Sequence, residues 1–157
     1  MSDTPAAVRP LASNRRAAHD YFLHDRVEAG IELRGTEVKA ARTGKVQLAD
    51  AFVEFRDGEA YLVGAHISPY SHGNRENHLP DRERRLLLHR REIDKLAGRA
   101  LAKGFTVIPL AIYLRGDRIK VEIALAQGKK LFDKRETERR KELEREAAAA
   151  MRGDRWE

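Results

Sequence analysis

The chain has 157 residues, 36% of them charged, with 31 Lys/Arg against 25 Asp/Glu, a formal net charge of +6 and no cysteine. That length suits one domain with a real core, the missing thiols exclude a disulfide framework and thiolate metal sites, and no run approaches the roughly 18 apolar residues of a membrane span. Excess positive charge favours a polyanionic partner, and with no signal-type apolar stretch near the start a cytoplasmic chain is expected.

Residues 1–13 are small, Pro-containing and expected to form a disordered arm. Next, Asn14, Arg15, Arg16, His19, Tyr21 and Phe22 cluster cations with aromatics where a first strand begins. This pairing suits a phosphate contact beside a stacking surface, although a solvated strand end would read the same way. Over 27–33 apolar and polar residues alternate as in a half-buried strand, with Gly30 marking a bulge or a close backbone approach. Glu28 lies on the outer face, where a carboxylate either solubilises or accepts from a base edge or a 2′-hydroxyl.

A short helix is predicted from Glu37 to about Thr43, capped by Thr36 and stopped by Gly44, with Val38 and Ala41 inward. Lys39 and Arg42, three apart, would form an outward phosphate rail. Asp57-Gly58 and Gly116-Asp117 predict two hairpins, the second with Ile119, Val121, Ile123 and Leu125 on its buried face. Pro109 requires a bulge or an edge in its strand. Residues 66–81 lack any period and form a long loop; its His66, His72 and His78 have neither thiolate partners nor helical metal-ligand spacing, so no metal or other cofactor is assigned. Leu86-Leu87-Leu88 reads as a short strand, and a helix from Arg90 to Gly104 would bury Ile93, Leu96, Ala100 and Leu101 while Arg91, Lys95 and Arg99 extend the basic surface.

At Gly128 the character changes. From Lys129 on there are ten Lys/Arg and eight Asp/Glu in 29 residues, too little apolar surface to offset the entropy of ordering. Lys129, Lys130, Leu131, Phe132, Asp133, Lys134 and Arg135 form a basic joint. Beyond it a partner-ordered helix would carry a thin line of Leu143, Ala147, Ala150 and Met151, with Trp156 as a terminal anchor. The fold expected is mainly β: a small antiparallel barrel of about six strands, a usual platform for oligonucleotides, with two or three flanking helices and a basic tail, divided as 1–13 arm, 14–128 barrel and 129–157 tail. A sandwich is the alternative topology.

Several blocks in order, among them Asn14-Arg-Arg-Ala, Glu28-Ala-Gly-Ile, Gly35-Thr-Glu-Val-Lys39, His66-Ile-Ser-Pro-Tyr70, Leu86-Leu-Leu-His-Arg-Arg-Glu-Ile and Gly128-Lys-Lys-Leu-Phe-Asp-Lys-Arg135, resemble the signatures of the SmpB family of bacterial SsrA-binding proteins. The resemblance implies an OB-like RNA-binding barrel over 14–128 in a monomeric, non-enzymatic adaptor of trans-translation that binds the tRNA-like domain of transfer-messenger RNA and delivers it to stalled ribosomes. It further implies RNA contacts at Asn14, Arg15, Arg16, His19, Tyr21, Glu28, Lys39, Arg42, Lys129 and Lys130. Leu131, Phe132, Asp133, Lys134 and Arg135 would act at the small-subunit decoding centre, with the tail in the empty mRNA channel. Ala40-Ala41 departs from the family's usual Ser-Leu. The rivals are a generic OB-type RNA chaperone or tRNA binder, which would bind both RNAs equally, and a metal-dependent nuclease using His66, His72, His78 and Asp81.

Overall fold

The computed structural model describes residues 8–70 and 77–151. Its strands are β1 (Val8–Ser13), β2 (Tyr21–Ile31), β3 (Val46–Gln47), β4 (Phe52–Arg56), β5 (Glu59–Val63), β6 (His66–Ile67), β7 (Arg84–Leu87), β8 (Phe105–Arg115) and β9 (Arg118–Gly128). The helices are α1 (Ala17–Asp20), α2 (Gly35–Arg42), α3 (Arg90–Ala100) and α4 (Leu131–Met151).

Strands β8, β4, β5, β7, β2 and β9 pair antiparallel in that order, and β9 returns to β8, so six strands close a ring. Closure removes the exposed edges that a small open sheet would present. Inside lie the alternate residues of each strand, including Ala29, Val53, Ala60, Leu62, Leu86, Val107, Ile112, Val121, Ile123 and Leu125, all buried. The two hairpins turn where expected. Asp57 and Gly58 both take positive φ (51° and 75°), the geometry of a tight two-residue turn, and Gly116 has φ 63°. Leu86 and Leu87 stand in a strand, as read from their sequence.

Pro109 sits at a register shift between Pro109 and Ala111, the bulge its missing amide demands. Gly30 meets the second of its two expectations: a Cβ there would lie 3.1 Å from the Leu87 Cβ, so the strands approach too closely for a side chain without adjustment.

Four details differ from the sequence reading. Val8–Ser13 is not an arm but a strand paired with β8 from Val8↔Arg115 to Ser13↔Ala111. The reason is topological: β4 meets β8 at Val107, leaving the farther part of that edge open for another extended segment. The short helix begins at Gly35 rather than Glu37; Arg34 is its N-cap, whose amide donates to the Glu37 carboxylate at 2.7 Å. The loop at 66–81 begins with β6 paired to β3, and His78 is buried, its ring bonded to the Thr36 hydroxyl (2.9 Å) and the Ile67 carbonyl (2.8 Å). Helix α3 ends at Ala100, so Leu101 is 88% exposed instead of completing the apolar face. His72 and Trp156 lie outside the described residues.

Among the described residues, two charged side chains are completely buried. Glu37 on α2 accepts from Arg84 Nε on β7 at 2.6 Å and from Arg82 at 2.5 Å. Arg84 also donates to the carbonyls of Ala65 and Pro80, each at 2.9 Å. Burial works to raise the Glu37 carboxyl, but hydrogen bonds from Arg82, the Arg34 amide and Arg84 outweigh it and hold the group below its ordinary range. This network fixes α2 on the barrel wall and so determines where Lys39 and Arg42 project.

Candidate nucleic-acid interface

A cationic rim is built where β1 hands over to α1. The Asn14 amide donates to the Leu110 carbonyl (2.8 Å) and its side-chain amide to the Pro109 carbonyl (3.1 Å), pinning the chain to the β8 bulge. Ala17 then buries against Ile108, Leu110, Ala124 and Ala126 outside the barrel. With that one residue sunk, the flanking Arg15 and Arg16 are left exposed.

An open groove of about 570 Å³ runs between Pro10 to Arg16 on one bank and Gly44 to Ala49 on the other. The Arg9 guanidinium donates to the Arg42 carbonyl at 2.8 Å, joining β1 to the end of α2. Lys39 and Arg42 are exposed on α2, Lys39 with its ammonium 5.6 Å from the Tyr70 ring centroid. A second groove, about 610 Å³, adjoins the first at Asn14, Arg16 and Ala49 and is lined further by Asp20, Tyr21, Phe52 and Lys134 among others. Arg16 and Lys134 thus share the second groove with Tyr21 and Phe52, a combination that suits backbone phosphates and unstacked bases.

Lys129 completes the rim. Its amide donates to the Asp20 carbonyl (2.9 Å), and its ammonium to the Ala18 carbonyl (2.9 Å) and the Thr137 hydroxyl (2.7 Å) while lying 5.0 Å from the Phe22 ring centroid. Lys130 is exposed beside it. His19 bonds Asp20 through Nδ1 at 2.8 Å and Glu138 through Nε2 at 2.6 Å. These two hydrogen bonds, Asp20 first and Glu138 second, raise the His19 pKa, since both carboxylates favour the imidazolium.

Asn14, Arg15, Arg16, His19, Tyr21 and Lys129 therefore come together. Arg42 adjoins β1 through its carbonyl bond to Arg9, Lys39 lies one turn back on α2 beside Tyr70, and Lys134 lines the second groove. Glu28 stands apart. It opposes Glu122 while Tyr21 opposes Gly128, a separation along β2 of seven residues or about 23 Å. Glu28 accepts from the Tyr113 hydroxyl and from Arg115 (2.9 Å). Burial, reinforced by Glu28, pushes the Tyr113 phenol up to about 12. Sequence reasoning missed Tyr113, Arg115 and Phe52. Tyr113 and Arg115 share a strand face by period two, but nothing in the sequence pairs them with Glu28.

Helix α4 runs 21 residues, about 31 Å. Leu131, Phe132 and Asp133 open it, though their side chains lie outside the described residues. Lys134 and Glu138 touch Asp20 and His19 of α1, and Thr137 accepts from Lys129 in the β9–α4 connection, whereas residues 139–148 are exposed, including Leu143 at 58%. The first turns of the helix rest on the rim at His19 and Lys129, and beyond Glu138 the helix leaves it.

Fold and surface together define a small OB-like barrel protein with a cationic border and a projecting charged helix. The family model described as SmpB protein matches residues 11–153. An SsrA-binding protein of Pelobacter propionicus is 51% identical over 142 residues, covering 90% of this chain and 93% of its own. Another, of Caldicellulosiruptor saccharolyticus, is 52% identical over 145 residues, covering 92% of each. A solved structure described as "tmRNA-SmpB: a journey to the center of the bacterial ribosome" matches with a TM-score of 0.67 at 47% identity, over 78% of this chain and 87% of that one. The chain belongs to the SmpB family.

Proposed function

We propose that this chain is the RNA-binding adaptor of trans-translation in its cell. It binds the tRNA-like domain of transfer-messenger RNA through its barrel and brings that RNA to stalled ribosomes in the cytoplasm, where its tail enters the decoding centre and the empty mRNA channel. The observation that carries this reading is a cationic rim set directly beside a projecting charged helix, in a chain about half identical to SsrA-binding proteins.

The work is recognition, not catalysis. Arg15, Arg16, Lys39, Arg42, Lys129 and Lys130 supply phosphate contacts, Tyr21 a stacking face, and Asn14, His19 and Glu28 polar contacts to the RNA elbow. Leu131, Phe132, Asp133, Lys134 and Arg135 act at the ribosome. In this division residues 14–128 form the RNA-binding unit, aided by Lys129 and Lys130 at the start of the 129–157 tail, and the tail from Leu131 on is the ribosomal unit. Replacing Lys134 and Arg135 together by Ala tests it: RNA affinity is retained while peptide tagging on stalled ribosomes is lost. Loss of RNA binding in that variant contradicts the division of labour.

A further inference from the structure

Helix α3 and strands β2, β8 and β9 leave between them an open pocket of about 510 Å³, lined by His24, Asp25, Gly98, Arg99, Phe105 and Leu125 among others. Its size falls within the range of about 300–1,000 Å³ typical of small-ligand sites. Strand β2 shifts register between His24 and Val27, and Asp25 there takes φ 50°, a left-handed conformation uncommon outside glycine. The Asp25 carboxylate binds Arg99 Nη1 and lies 3.9 Å from the Lys95 ammonium, so it ties α3 and two of its cations to the pocket's edge. The His24 and Phe105 rings stand 6.5 Å apart at 37°, His24 exposed and Phe105 half-buried, and Leu125, opposite His24 on β9, is buried. Gly98 carries no side chain to close the opening, and a Cβ there would meet nothing within 4 Å.

We propose that this pocket takes one unpaired base of ribosomal RNA, stacked on His24 and Phe105, with Arg99 and Lys95 on the adjoining phosphates. Aromatic faces beside cations are the means by which proteins hold single-stranded RNA. Asp25 engages Arg99 through Nη1 alone, and a guanidinium carries five donors, so others are left for a phosphate. Arg91, Lys95 and Arg99 are exposed at i, i+4 and i+8 along α3 and lead the charge toward the pocket. The source of the RNA follows from position. The Gly128 amide donates to the Gly104 carbonyl at 3.0 Å, one residue before Phe105, so the pocket lies beside the point where the tail leaves the barrel. The assignment to ribosomal RNA therefore rests on the adaptor reading, which sends that tail to the ribosome, whereas the affinity of the pocket for a base does not.

Nuclear magnetic resonance of the full chain tests the pocket with two small probes. Adenosine 5′-monophosphate shifts the His24 and Phe105 ring signals and the Gly98 amide, whereas ribose 5-phosphate, which keeps the phosphate but lacks the base, leaves the rings unmoved. His24→Ala removes one stacking face, and Gly98→Leu fills the mouth from a helical position with open space around it. Each variant keeps the native far-ultraviolet circular dichroism and loses the response at Phe105. Both also bind the tRNA-like domain of transfer-messenger RNA with unchanged affinity, but their complexes with transfer-messenger RNA bind stalled ribosomes at least about five-fold more weakly, the low end for one base stacked on an aromatic side chain. No ring response to adenosine 5′-monophosphate, or an equal one to ribose 5-phosphate, overturns the pocket as a base site. Weakened binding of the tRNA-like domain, or undiminished ribosome binding, in the two variants overturns its assignment to ribosomal RNA. Should the native chain bind neither, the adaptor reading falls, and the titration with the two probes still decides whether the pocket takes a base.

Discussion

Glu37→Ala is the substitution with the most to lose. It leaves Arg84, completely buried, without its anion, strips Arg82 of its 2.5 Å partner, and leaves the Arg34 amide without the carboxylate that caps α2. Removing one member of a buried ion pair costs about 3–5 kcal/mol, because the surviving charge stays desolvated. In a chain of this length each kcal/mol lowers the melting temperature by about 2–4 °C, so a fall of roughly 6–20 °C is expected. Urea unfolding followed by far-ultraviolet circular dichroism gives the free energy directly. Combining Glu37→Ala with Arg84→Met should cost less than the two singles added together, since both remove one shared interaction. The acid limb adds a check of sign. A carboxyl held below its ordinary value contributes stability above about pH 4.3 that is lost as pH falls through the depressed folded value. The difference between the native chain and Glu37→Ala must therefore shrink in acid. A loss under about 1 kcal/mol at neutral pH, or a difference that grows in acid, refutes the assignment of Glu37 as a charged, paired core residue.

Gly64→Ala should be harmful well beyond its size, by about 1–3 kcal/mol. The backbone there has φ +81° and a Cβ would come 2.9 Å from the Asp50 carbonyl oxygen, so urea unfolding should register the loss, and a neutral result would contradict the turn. Nuclear magnetic resonance titration of His19 should give a midpoint above 6.5, moving down in Glu138→Gln. With a raised folded value, the His19 contacts are at full strength below about pH 6.5 and weaken as pH rises through the folded pKa. A midpoint at or below 6.5 would dismiss the paired imidazolium.

What could be read from the sequence was whatever depends on neighbours in the chain. The turns at Asp57-Gly58 and Gly116-Asp117, the bulge at Pro109, and the buried face of β9 follow from local conformational rules. The number of strands in the ring followed from counting such segments, while its closure as a barrel and not a sandwich came from the fold. What escaped was non-local. Arg84 shares a face with Leu86 by period two, so its burial was hinted at, but only the fold reveals that Glu37, 47 positions away, neutralises it. Val8–Ser13 has no strong strand pattern and gains order from an edge that β8 supplies. Much of the candidate rim was visible as the cluster from Asn14 to Tyr21, because those residues are close in sequence as well as in space. Its link to the tail through Glu138 was not visible, since in an isolated helix the same carboxylate reads as a partner for Lys141.

The central claim is that this barrel recognises one kind of structured RNA. Filter binding of the full chain to the tRNA-like domain of transfer-messenger RNA and to an ordinary tRNA, across a salt series, tests it most directly. The account predicts a strong preference for the former at every salt concentration, with both affinities falling as salt rises because phosphate contacts release counterions. Equal affinity for the two RNAs throughout the series would contradict it and identify a general tRNA-binding barrel instead.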